Sequence, residues 1–138
     1  MNDFEMLSVF NDYILGTAGL LMCFVGIIFG FLLVSHWIGD MLKSVMVGIM
    51  VALYTMASGF LILLVNRYSI ASSDLAKEIK QAVADGTSSL GWHPVVREPE
   101  STFTGTTVSV TVLMLMTYVG GLAFFFYERR QGKLEAEK

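Results

Sequence analysis

His36 and His93 are the only imidazoles in the chain, and Cys23 is its only thiol. Two histidines can hold a haem between them if both reach one plane. Here His36 closes one long apolar run, and His93 lies in a loop beyond the next such run. Those positions fall at opposite ends of a hydrocarbon core about 30 Å thick, so a shared haem is not expected. A lone cysteine makes no disulfide within the chain. Cys23 lies mid-run, where hydrocarbon disfavours a thiolate, and it reads as a packing residue. The sequence has no Ser–His–Asp set, no phosphate-binding glycine loop and no zinc spacing. Nor does it carry paired carboxylates where a pocket would place them. The expectation is a protein with no catalytic residues, no cofactor and no metal.

Ionisable residues inside a membrane commonly mark ion or proton paths. None falls within the apolar runs. Asp12, Asp40, Lys43, Arg67 and Glu128 stand at their ends, where side chains reach water. The polar residues expected to be buried in the spans are Thr17, Tyr54, Thr55, Ser58, Thr111, Thr117 and Tyr118. These are suited to bonding a helix backbone or one another.

The elements that carry these residues follow from charge segregation. Of 138 residues 54% are hydrophobic and 15% charged, with a mean hydropathy of +0.64. Charge-free runs extend over 13–35, 44–66 and 101–127. Each meets the ~20 residues that a helix needs to cross a bilayer. The third opens with a polar stretch, Ser101 to Thr107, so its apolar part is nearer Val108 to Tyr127. Lipid satisfies no backbone group, so a spanning segment is a helix or part of a closed barrel. The runs lack the period-two alternation of barrel strands. A cleaved signal peptide is not expected, because Asp3, Glu5 and Asp12 replace the basic leader and the first run is too long.

The fold class is therefore an all-α membrane protein. It has three transmembrane helices, with an extramembrane amphipathic helix and loop between the second and third. The chain reads as one membrane domain over 1–138, with spans of about 13–37, 44–66 and 107–127 and an extramembrane segment over 67–106. Phe4, Leu7 and Phe10 give the first twelve residues helical spacing, and the turn around Gly39 to Lys43 joins the first two spans tightly. No Gly or Pro occurs between Phe60 and Asp85, and Leu75, Ile79 and Val83 recur every four residues. That predicts an amphipathic helix over 72–85, capped by Ser72 or Ser73, with Asp74 in its first turn and Gly86 as its stop. It either lies on the surface or continues the second span outward. Residues 86–105, with both prolines, read as coil, ordered by Leu90, Trp92, Val95 and Val96.

Lys43 and the tail cations Arg129, Arg130, Lys133 and Lys138 share one side of a three-span chain. The Arg129–Arg130 pair directly follows an aromatic belt, Phe124 to Tyr127. This places the N-terminus outside and the C-terminus in the cytoplasm, in a plasma (inner) membrane, although Arg67 argues the other way.

Small residues recur inside the spans. In the first they are Gly16, Gly19, Cys23, Gly26 and Gly30, in the second Ser44, Gly48, Ala52, Thr55 and Gly59, and in the third Thr107 and Thr111, then Thr117 and Gly121, each pair four apart. Steps of three and four put each set on one helix face, where backbones can approach closely. Ile27 and Phe31 lie off the first stripe. The stripes either pack the helices of one chain together or form an intermolecular seam. The expected partners are the lipid bilayer and other integral membrane subunits or copies of the chain. With a net charge of −3 and no basic face, nucleic acid is not among them.

Three functions fit. The first is a small non-catalytic multi-pass membrane protein, a structural or assembly subunit of a larger membrane complex. The second is a homo-oligomeric pore-forming or holin-like protein, which needs a wider polar stripe than Thr and Ser supply. The third is a secretion or pilus-type membrane component.

Overall fold

In the computed structural model of the chain, residues 2–38 and 41–136 are described. The expected turn at Gly39 and Asp40, and the terminal cation Lys138, lie outside them. The chain is 91% helical, without a strand among the described residues. Among the described residues four α-helices follow one another: α1 (Asp3–Ile38), α2 (Ser44–Ala84), α3 (Pro94–Arg97) and α4 (Glu100–Ala136), with a 3₁₀ turn at Leu90–Trp92. Three of them, α1, α2 and α4, are long and apolar enough to cross a membrane. At 1.5 Å per residue, the 36, 41 and 37 residues of these helices extend about 54, 61 and 55 Å, well beyond ~30 Å of hydrocarbon.

The helix ends show why these lengths arise. Asn2 caps α1: its Oδ1 accepts from Glu5 N at 2.8 Å, and Glu5 Oε2 accepts from Asn2 N at 2.9 Å. This is a reciprocal capping box. The first twelve residues therefore run directly into the apolar segment. The predicted amphipathic helix is not a separate element but the continuation of α2, since nothing between Phe60 and Asp85 breaks it. The expected serine cap is thus overturned, and Ser72 Oγ donates to Ser69 O instead. Gly86 does stop the helix. It adopts φ +71°, Gly86 N donates to Val83 O and Thr87 N to Ala82 O. That pattern ends a helix through a left-handed residue, which glycine adopts without strain. The segment read as coil over 86–105 holds the 3₁₀ turn, α3 and the start of α4.

Two compact units emerge: Met1–Leu20 with Leu63–Thr111, and Leu21–Ile62 with Val112–Lys138. The first closes on Met6, Phe10, Leu75, Ala76, Ile79, Leu90 and Val95. Phe4, expected on this face, is 79% exposed, and Met6 takes its place. In the second unit the buried side chains include Phe24, Ile28 and Phe31 of α1, Tyr54 and Leu61 of α2, and Met114 and Phe125 of α4.

Candidate helix-packing interface

On α1 the large residues Phe24, Ile28 and Phe31 take the inward face of the second unit. They follow the same three-and-four spacing as the glycines, so the glycines are turned elsewhere. A Cβ built on Gly19, Gly26 or Gly30 meets nothing within 4 Å. Cys23, between them, is exposed. The same openness holds on α2 at Gly48 and Gly59, while Ala52 and Thr55 are exposed. Of the stripe glycines, Gly16 alone meets another part of the described chain closely. Its Cβ would lie 2.6 Å from Tyr68 Cε1, in the first unit, where Tyr68 also meets the Tyr13 ring edge-on at 5.7 Å. Apart from Gly16, the glycines of both stripes do not form close packing within the chain.

Helix contact inside the second unit is built from other residues. Phe31 stacks on Tyr54 with ring centroids 3.9 Å apart and planes at 10°. Tyr118 lies 5.3 Å from Tyr54, and Phe125 lies 5.3 Å from Phe31. Tyr54 Oη donates to the carbonyl of Tyr118 at 3.4 Å, and Thr55 Oγ1 shares a 2.9 Å hydrogen bond with Tyr118 Oη. This fit requires Gly121, since a Cβ there would lie 2.5 Å from Tyr54 Oη. Phe31 is therefore a core residue, not a bystander beside the stripe. The spacing of Thr117 and Gly121 marks a small face on the third span, but it does not name Tyr54, 67 residues away, as the partner of Gly121. The remaining polar residues mostly bond their own helices: Thr17 to Tyr13 O, Thr111 to Thr107 O and Thr117 to Leu113 O. Ser58 is fully buried.

The chemistry-bearing residues have separate surroundings. His36 Nδ1 lies 3.7 Å from Glu128 Oε1 in the second unit. In the first unit, His93 Nδ1 accepts from Val95 N at 3.3 Å, and its ring meets Phe10 edge-on at 6.3 Å. Among the described residues no three His, Cys, Asp or Glu side chains group to hold a metal ion. Asp3 accepts from both Ser89 N (2.8 Å) and Ser89 Oγ (2.6 Å), tying the start of α1 to the 3₁₀ turn. The Ser89 hydroxyl foremost, with help from Ser88 and the Ser89 amide, holds the Asp3 carboxyl below the usual carboxylate range.

Compared with known proteins, the chain matches no family model, no curated relative and no solved structure.

Proposed function

We propose that this chain is a non-catalytic, three-span integral membrane protein of the plasma (inner) membrane. It serves as a structural or assembly subunit of a larger membrane complex. One observation carries the reading: a Cβ built on Gly19, Gly26 or Gly30 of α1, or on Gly48 or Gly59 of α2, meets nothing within 4 Å. In lipid, a glycine face gains by letting another helix backbone approach, through van der Waals contact that bulkier residues prevent. A chain that packs its own helices through Phe31, Tyr54 and Phe125 leaves such faces available to other membrane subunits. In this reading residues 67–106 stand outside the membrane, and the tail after Tyr127 is cytoplasmic.

Extraction of the tagged chain from native membranes in mild detergent tests the function, because an assembly subunit brings unlike membrane proteins with it. Migration alone would contradict the reading, and migration only with itself would favour a homo-oligomer. Orientation is tested in a Cys23→Ser background with single cysteines at Ser89 or Gly132. An impermeant thiol reagent applied to intact cells should label only the first.

A further inference from the structure

The segment that closes the first unit is fastened by a titratable group. Its sequence is His93–Pro94–Val95–Val96, and Pro94 opens α3 with no N–H of its own. The first amide of α3 that needs an acceptor is therefore that of Val95. The His93 side chain caps the helix by accepting it at Nδ1, 3.3 Å away. An imidazole nitrogen accepts only when it bears no proton, so the cap exists only while His93 is neutral, with its one proton on Nε2. At four residues α3 is a single turn, too short to hold itself by its own ladder. What the cap fixes matters to the unit. Val95 is buried in the apolar cluster that contains Phe10, Leu75 and Ile79, and the His93 ring itself meets Phe10 edge-on.

The surrounding charges offer an imidazolium no partner. On α1, the Asp3 carboxylate is engaged by the amide and hydroxyl of Ser89. On α2, Lys80 Nζ donates to the Glu98 carbonyl. In the segment itself Arg97 and Glu98 are exposed. Among the described residues none of these carboxylates forms an ion pair with His93, whereas His36 faces Glu128 at 3.7 Å. A proton on Nδ1 thus removes the acceptor and sets a donor against the Val95 amide, with no ion pair gained in exchange.

We propose that His93 is a pH-sensitive latch. Neutral, it clips α3 and Val95 into the first unit; protonated, it releases them and opens one side of the apolar cluster. An imidazole is the side chain whose charge ordinarily changes between about pH 5 and 8. The Asp3–Ser89 clip precedes the 3₁₀ turn and stays ionised over that range, so the release is confined to residues 93–98. The inference depends on no partner and holds whichever side of the membrane the segment faces.

The test follows hydrogen exchange of the Val95 to Glu98 amides by NMR, on the full chain in detergent, as protection relative to the intrinsic rate at each pH. Losing an N-cap acceptor is worth about a fivefold fall in protection. Wild type should lose at least that factor from about pH 7.5 to about pH 5, while the amides that follow Asp3 keep theirs. His93→Asn supplies a side-chain oxygen that caps without titrating, so its protection should not change over this range. His93→Ala should be as poorly protected at the higher pH as wild type is at the lower. His36→Gln should keep the wild-type step. A wild type without the step overturns the proposal, as does a step that survives in His93→Asn or disappears in His36→Gln. Full protection of His93→Ala at the higher pH overturns it too.

Discussion

The two units of this chain close themselves by different means. The first gathers Met6 and Phe10 of α1, Leu75, Ala76 and Ile79 of α2, and Leu90 and Val95 of the 86–99 segment, with Ile79 and Ala76 almost wholly buried. Polar clips then secure its edges, from Asp3 to Ser89 and from Lys80 Nζ to the Glu98 carbonyl. The second unit closes through stacked rings, a glycine beneath a tyrosine, and hydroxyls that bond backbone or one another. Water drives apolar side chains together and tolerates charged clips at the rim. Lipid gives helices no such drive, so contact there depends on fit and on satisfied polar groups. The contrast is the one expected if residues 67–106 fold in water and the second unit folds in lipid.

The largest effect that sharpens this contrast should come from the aliphatic core. Ile79 is fully buried. Ile79→Ala removes three carbons and leaves a cavity, which typically costs about 2–5 kcal/mol. Hydrogen exchange over residues 66–99 should rise accordingly, while amides near Tyr54 and Phe125 stay protected. Equal loosening of both regions would erase the distinction between the units.

Next comes the glycine on which the aromatic stack depends. Gly121→Ala places a methyl 2.5 Å from a tyrosine hydroxyl whose ring is stacked against Phe31 and cannot easily swing away. Overpacking of this kind costs about 1–3 kcal/mol, read as a lower unfolding temperature of the purified chain in detergent. Gly26→Ala meets open space and should leave that temperature unchanged or raise it. If the two substitutions behave alike, the tyrosine–glycine contact does not hold the second unit together.

The smallest effect concerns the Asp3 clip. Its carboxyl titrates below the unfolded value of 3.8, so the ionised form is the one that stabilises. That contribution is fully present above the unfolded value and is lost as pH falls through the lower, folded value. Protection of the α1 start should thus stay level from neutral pH down to about 4 and fall only below it. Asp3→Asn should weaken the clip at neutral pH and remove the acid-dependent step. A step near pH 6 would assign the transition to another group.

Much of the fold was legible because charge is costly in hydrocarbon: the three uncharged runs fix where α1, α2 and α4 are apolar. The absence of Gly and Pro after Phe60 left α2 free to continue, but only the structure shows that it does so without a new cap at Ser72. Gly86 was readable as a stop because a left-handed helix end favours glycine. The packing faces were harder to read. Phe24, Ile28 and Phe31 share their period with Gly19, Cys23, Gly26 and Gly30, so periodicity finds two faces on α1 without telling which one meets the rest of the chain. The four-residue step from Thr117 to Gly121 marks a small face on the third span, but the pairing of Gly121 with Tyr54 joins residues far apart in sequence and leaves no local pattern. The same ambiguity hid Phe31, whose bulk reads equally well as lipid-facing or as core.

The central claim is that the open glycine face of α1 serves another protein. It is tested most directly by comparing wild type, Gly26→Leu and Val25→Leu after mild extraction from native membranes. Co-purifying membrane proteins and the unfolding temperature of the isolated chain are measured for each. The side chain added at Gly26 enters open space in the chain itself, and Val25 is 53% exposed, on a different face of α1 from the stripe. The account predicts that Gly26→Leu loses its unlike partners while the isolated chain remains as stable as wild type, and that Val25→Leu retains them. Partners retained by Gly26→Leu, or a wild-type chain that brings none, would contradict it.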